Sequence, residues 1–313
     1  MSQENFFDKF WIPYLEYEAL TGFSRRQMEQ EVLDLGIKDG EMVANIGINW
    51  GESLQVILDR HPNISTLFGV DSSRVMIELS KSVFSKDGLK LKGPSEGLSS
   101  QASLFLKSLH DRAKENSNRV NFVYASAEEF YTQGIKVDKI AATMGFHWLT
   151  DPNKAFHSMN NSLNLEGKIT FSTASARFEI NNPEESFTQN PYYLGFFEGF
   201  NELVKRKIEG AQIPKKIVSK KSSIRDINET LTKNGFRLED HREYKFEVPA
   251  LIIDEVCKAG IKFSYKLDAK DPAVREIVRE SLEKTKASFN YGDAPARYEI
   301  CPIFTVRKMR EVN

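Results

Sequence analysis

The sequence has little cysteine: Cys257 and Cys301 are the only two in 313 residues, far apart and without the spacing of metal ligands. That argues against a disulfide framework and against a cysteine-built metal site. Both thiols read as small apolar residues in a reducing compartment. An excess of charge of one sign is also lacking, since 43 Lys and Arg meet 44 Asp and Glu, mixed along the chain. Nucleic acid and anionic membranes demand a concentrated basic field, so neither is an expected partner. The basic runs Lys205 to Lys207 and Lys215 to Lys221 read as solvated faces. No window approaches the roughly 20 apolar residues of a membrane span, and the opening MSQENFFDKFW has no basic segment leading into an apolar one. The expectation is a soluble cytoplasmic protein, monomer or homodimer. Two nucleotide-binding signatures are missing as well. No GxGxxG follows a strand and no Gly-Lys-Ser/Thr closes a phosphate loop, which argues against NAD and ATP held by those routes.

What is present is an alternation of strands and helices. The run MVANIGI from Met42, bounded by Asp39-Gly40 and Asn49-Trp50-Gly51, reads as a buried strand, and Glu52 to Arg60 as a helix with Leu54, Ile57 and Leu58 on one face. STLFGVD is a second strand ending in Asp71, with Ser72-Ser73 able to cap the next helix. VNFVYAS, VDKIAATMGF and KITFSTAS continue the strands, separated by AEEFYTQ and by Asp151 to Leu163. Strands alternating with helices of about ten residues predict a doubly wound, mostly parallel α/β sheet. Ahead of it, Phe6, Phe7, Phe10, Trp11, Tyr14 and Tyr17 recur at helical spacing, with Pro13 expected to begin or kink a turn. Gln27 to Leu35 reads as a short helix stopped at Gly36. The aromatic-dense NPYYLGFFEGFNELVKRK interrupts the rhythm. After it come a helix, a glycine stop, the strand FRLEDHREYKFEV, further helical segments from Leu251 and Asp271, and a last strand YEICPIFTVRK. Periodicity leaves the direction of the last strands open. The expected organisation is a helical lid (1–36), an α/β core (37–180), an aromatic helical insertion (181–221) and a part completing the sheet (222–313).

In such sheets ligands sit beyond the carboxyl ends of the strands. Four ends here carry small or polar residues: Gly47 to Gly51, Asp71-Ser72, Ser126-Ala127-Glu128, and Gly145-Phe146-His147-Trp148. Glycines let the backbone approach a ligand, and an acid ending the second strand accepts bonds from ribose hydroxyls. Asp71 lies 20 positions beyond Gly51, the interval of one helix and one strand.

The series VANIGINWG, FGVDSSRVMIELSK, VNFVYASAEEF and VDKIAATMGFHWLTDPNKAFHSMNNSLNLEGKITFST resembles class I S-adenosylmethionine-dependent methyltransferases, most of all the small-molecule branch that includes trans-aconitate and juvenile hormone acid methyltransferases. The resemblance covers about residues 25 to 175 and, loosely, 222 to 313. It implies a Rossmann-like seven-stranded sheet and S-adenosylmethionine as cofactor, with no metal. It also implies roles for individual positions. Gly47, Asn49 and Gly51 line the methionine portion, Asp71 holds the ribose diol, Ser72 lies beside the adenine, and Ser126, Ala127 and Glu128 border it. Thr143, Gly145 and His147 lie beneath the sulfonium. The family's first-strand acid is Asn45 here, its second loop glycine is Asn49 and its adenine-segment Asp is Ser126. The hydrogen-bonding capacity survives. The charge of the first-strand acid, which would attract the cofactor's amino group or order the loop, does not.

His147 is the expected catalytic residue, orienting an acceptor oxygen or taking its proton. Tyr14, Tyr17, Trp148, Tyr192, Tyr193 and Phe196, with Phe187, Phe197 and Phe200 nearby, are expected to wall a small, partly apolar or aromatic substrate. The resulting expectation is methyl transfer to a small metabolite, at oxygen by preference. The alternative is a protein of the same fold that does not transfer methyl: a cofactor-binding partner, or a cyclisation or rearrangement enzyme.

Overall fold

The structure, a computed structural model, describes residues 3–90, 98–143, 146, 149–173, 178–208, 221–258, 271–293 and 296–309, with only the backbone described for 3–10, 13 and 187. Two helices, α1 (Gln3–Thr21) and α2 (Phe23–Leu35), precede the alternating core. That core runs β1 (Met42–Ile46), α3 (Glu52–Arg60), β2 (Thr66–Asp71), α4 (Arg74–Val83), α5 (Ser100–Ala113), β3 (Val120–Tyr124), β4 (Val137–Ala142), α6 (Pro152–Ser162) and β5 (Leu163–Ser172). Then come α7 (Pro191–Lys207), α8 (Ile224–Lys233), β6 (Phe236–Glu247), α9 (Pro272–Ser288) and β7 (Tyr298–Lys308).

The seven strands form one sheet in the order β3-β2-β1-β4-β5-β7-β6. The first five are parallel, while β7 runs antiparallel to both β5 and β6. The central strands are short and almost continuously apolar because both faces are covered. Val43, Leu67 and Ala141 point toward α2, α3, α4 and α5. Ala44, Val70, Ile140 and Ala142 point toward α6 and α8. Capping matches the chemistry of the residues at each start. Ser73 accepts from the Met76 N–H at 3.2 Å, and Asp151 accepts from Lys154 ahead of Pro152. Ser223 and Asp226 form a reciprocal capping box on α8.

Several local expectations change. The helix α1 passes through Pro13, because Trp11 and Leu15 on either side are buried in the core and hold it in register. The segment Leu165 to Lys168, which leads into the expected strand KITFSTAS, belongs to β5 itself. It is an irregularity with Glu166 at φ 63°, where the β4 pairing shifts register. Gly167 is required there, since a Cβ would stand 2.8 Å from Leu163 and 3.1 Å from the Asp138 carbonyl. AEEFYTQ yields only a 3-10 turn over Phe130–Gln133.

The closing strand β7 is central to the sheet. Its Phe304 stacks on Phe171 (centroids 4.9 Å apart) and on His241 (4.6 Å), and meets Phe178 edge-on. This stack ties β5, β7 and β6 together on one face. Phe304→Ala is therefore expected to lower unfolding stability by about 3–5 kcal/mol in urea denaturation.

Candidate active site at the strand ends

The loop after β1 has left-handed backbone at three alternate positions: Gly47 (φ 79°), Asn49 (φ 50°) and Gly51 (φ 93°). Asparagine is among the few non-glycine residues that take this conformation readily, so Asn49 keeps the path a glycine would give. Gly51 has no substitute, because a Cβ would lie 3.1 Å from the Phe84 ring and 3.3 Å from Ser80 Oγ. The loop is pinned from both sides. The Asn49 N–H donates to Asp71 Oδ2 at 3.2 Å, and Ser80 Oγ donates to the Asn49 carbonyl at 2.7 Å. The Ser73 N–H donates to Asp71 Oδ1 at 2.8 Å. Asp71, 7% exposed, is thus held at the end of β2 with its carboxylate turned to the loop. Asn45 spends its side chain inside the protein. Its amide donates to the Ala141 carbonyl at 3.2 Å and its oxygen accepts from Ser53, tying β1 to β4 and to the start of α3.

On the other side of β2, Ser72 is half-buried and Ser126 Oγ donates to Glu129. Glu128 Oε1 accepts from the backbone of Thr150 at 3.0 Å and Asp151 at 3.3 Å, so its carboxylate braces the entry to α6. Ala127, with Ile46, Ala142, Phe146, Leu149, Phe156, Met159 and Phe171, lines a small apolar pocket beneath these ends. Gly145, His147 and Trp148 lie outside the described residues. Thr143, which ends β4, is buried and donates through Oγ1 to Glu31 at 2.8 Å.

The aromatic residues divide into two groups. Tyr14 reaches the loop, its ring 5.2 Å from that of Trp50, which in turn meets Phe105 of α5. Tyr17, Tyr193 and Phe197 are partly buried at the side of the α7–α9 cluster. Tyr192 and Phe196 are buried inside that cluster, and the Tyr192 hydroxyl donates to Asp254 at 2.6 Å. The helix α1 therefore links the loop to α7, while Tyr192 and Phe196 face α9. Phe187 has no described side chain.

Three buried acids escaped the reading of the sequence. Glu18 accepts from the backbone N–H groups of Ser24 (2.9 Å) and Arg25 (3.2 Å). It caps α2, whose N-cap Gly22 has no side chain to offer. Glu31 accepts from Thr143 and from Gln27, whose Nε2 also bonds Ser172. Burial pushes its carboxyl up to about 7, against the pull of those hydrogen bonds. Glu52, in the first turn of α3, is 1% exposed, and neither carboxylate oxygen has a hydrogen-bond partner among the described residues. The nearby Trp50 indole favours the anion but lies outside hydrogen-bonding geometry. Burial, then the Glu18 charge, lift Glu52 to about 8. The available signal was positional. Met28, Val32 and Leu35 define the buried stripe of α2, and Ser24, Gln27 and Glu31 fall on that same stripe.

Comparison with known proteins gives a consistent likeness. No protein-family model and no curated protein matches the sequence. Among solved structures, phosphoethanolamine N-methyltransferase 2 of Haemonchus contortus, bound to phosphomonomethylethanolamine and S-adenosylhomocysteine, is 15% identical; the match covers 99% of this chain and 61% of that one, with TM-score 0.52. A Bacillus halodurans protein assigned to the methyltransferases is 11% identical over 91% of this chain and 100% of that one, TM-score 0.51. The cyclase SpnF is 14% identical over 91% and 81%, TM-score 0.51. The chain has the class I methyltransferase fold. At these identities the likeness is one of fold, and nothing in it singles out the trans-aconitate or juvenile hormone acid branch. The Gly47–Gly51 loop and Asp71 stand at the carboxyl ends of β1 and β2, and open α/β sheets bind ligands beyond such ends. Among the described residues no cluster of three His, Cys, Asp or Glu side chains is placed to hold a metal ion, and no helix is long and apolar enough to cross a membrane.

Two outcomes follow from this geometry. Asn49→Gly should leave stability within about 0.5 kcal/mol, whereas Asn49→Val should cost about 1–2 kcal/mol in chemical denaturation, because a β-branched side chain resists left-handed backbone. Glu52 has a folded-state pKa above its unfolded one, so its contribution is intact below pH 4.5 and is lost as pH rises through about 8. Glu52→Gln should accordingly gain stability over the unsubstituted protein between those limits, reaching on the order of 2–4 kcal/mol at pH 9, read from urea midpoints across pH.

Proposed function

We propose that the protein is an S-adenosylmethionine-dependent methyltransferase acting on a small, partly apolar or aromatic acceptor, at oxygen by preference. The observation that carries this reading is the left-handed Gly47–Asn49–Gly51 loop, hydrogen-bonded through the Asn49 amide to the Asp71 carboxylate on this strand order. The residues present fit the cofactor. Two backbone amides fix the direction of the Asp71 carboxylate, and a carboxylate has the capacity to accept further donors such as a ribose diol. The positive-φ loop lets backbone approach the methionine portion, and in this reading Ser72, Ser126, Ala127 and Glu128 border the adenine.

Bound S-adenosylmethionine supplies an electrophilic methyl group on a sulfonium, so the protein's task is alignment. Holding an acceptor in line with the methyl is worth about 7 kcal/mol or more in well-oriented systems. In this reading α1 covers the loop through Tyr14 and Trp50 and keeps water out, while Tyr17 and Tyr193 bound the acceptor. His147 and Trp148, which follow β4 in the sequence, would serve the acceptor in this reading, His147 by orienting it or taking its proton. The protein would work in the cytoplasm, as a monomer or homodimer, without nucleic acid, membrane or metal.

A second reading keeps the site and drops the transfer. Asn45 has both ends of its amide engaged inside the protein, and the fold is shared with a cyclase. Both favour a cyclisation or rearrangement enzyme, or a cofactor-binding partner protein. Calorimetric titration separates the readings at their root. Micromolar binding of S-adenosylmethionine and its demethylated product, weakened about tenfold or more by Asp71→Ala, is expected. No binding by the intact protein would overturn the methyltransferase reading.

A further inference from the structure

Beneath α2 the sheet is polar where its other face is apolar. Thr170, Ser172 and Thr305 of β5 and β7 are buried under this helix, while Ile169, Phe171, Phe304 and Val306 belong to the apolar core on the opposite face. Gln27 and Glu31 enter this layer from α2 and Thr143 enters from the end of β4. The layer is incompletely satisfied. Gln27 Oε1 and Thr170 Oγ1 are buried with no partner among the described residues, in a setting where an unmade hydrogen bond is costly.

The position of Glu31 gives this layer a purpose. Its carboxylate is bonded to Thr143, and the Thr143 carbonyl is the nearest atom, at 3.9 Å, to the place where a Cβ on Gly47 would stand. Glu31 is thereby linked, through Thr143, to the first glycine of the loop. Asn45, which stands where the resembling family has an acid, is neutral and committed to Ala141 and Ser53. We propose that Glu31 supplies the negative charge missing at Asn45 and binds the α-ammonium group of the cofactor's methionine portion, with Gln27 and Thr143 as the residues that orient it. This assignment rests on the methyltransferase reading. It accounts for a carboxylate kept in a layer of hydroxyl and amide groups, because a buried cation offsets a buried anion that hydrogen bonds alone compensate in part. The titratable groups acting on Glu31 are Asp34, further along α2 and paired with Arg242 and Tyr244, and the Cys301 thiol on β7. None of these is a cation in contact with Glu31.

The test compares two ligands, S-adenosylhomocysteine and methylthioadenosine. Both carry the nucleoside and a thioether sulfur, and only the first has the amino-acid end. Calorimetry of the unsubstituted protein near pH 7 in two buffers of different ionisation enthalpy is expected to show a fraction of a proton released on binding S-adenosylhomocysteine and none with methylthioadenosine. The reason is that an arriving ammonium favours the ionised carboxylate. Glu31→Gln should weaken S-adenosylhomocysteine about thirtyfold or more while leaving methylthioadenosine within about twofold, so the second ligand doubles as a check that the variant is folded. Should the variant lose both ligands, the proton count of the unsubstituted protein decides. Binding of both ligands with the same proton count, or an equal effect of Glu31→Gln on both, overturns this assignment alone. Binding of neither ligand by the unsubstituted protein overturns the methyltransferase reading and this assignment with it.

Discussion

The hydrogen bond from the Asn49 amide to the Asp71 carboxylate is the contact on which the arrangement of the site depends. It joins the loop after β1 to the end of β2, and it holds only if Asn49 takes left-handed backbone and Gly51 admits the close approach of Phe84 and Ser80. The same carboxylate accepts from Ser73, whose own side chain caps α4. One acid thereby sets the path of a loop, the end of a strand and the start of a helix. A neutral residue at position 71 would leave two backbone donors without their charged acceptor.

Charge in this region is concentrated where water is not. Glu18, Glu31 and Glu52 are all buried, and each is raised above the usual carboxyl range by desolvation. Their explanations differ. Glu18 completes the amino-terminus of α2, a structural use in which the backbone N–H groups compensate the anion. Glu31 is embedded in hydroxyl and amide groups beside the loop. Glu52 has the favourable end of α3, the charges of Arg25 and Arg112 and a nearby indole to set against its burial, and it lies near a second carboxylate. Natural proteins tolerate such costs where function asks for them.

Much of the architecture was legible from residue spacing. The strand MVANIGI, the acid ending STLFGVD and the 20-residue interval between Gly51 and Asp71 are features of short-range order, and they mark the carboxyl ends of β1 and β2. The caps at Ser73 and Gly36 were legible for the same reason, since a cap is a contact between residues three or four apart. Less legible were Pro13, where packing of Trp11 and Leu15 outweighs the local preference to break a helix, and Leu165 to Lys168, where pairing with β4 draws a turn-like sequence into a strand. The aromatic run from Tyr192 was visible as a helix, but which of its faces met α9 was not.

The sequence by itself determined the order of elements, the approximate extent of most of them and the identity of the acid at the end of β2, because each is set by hydrophobic period and neighbouring chemistry within about a dozen residues. Only the tertiary structure decided that β7 enters the sheet reversed, between β5 and β6, that Tyr192 and Phe196 turn toward α9, and that Glu31 meets Thr143 across 112 positions of sequence. Those outcomes are contacts between distant segments. They are fixed by which apolar faces must be covered and which buried polar groups must be satisfied at once, and no local pattern carries that information.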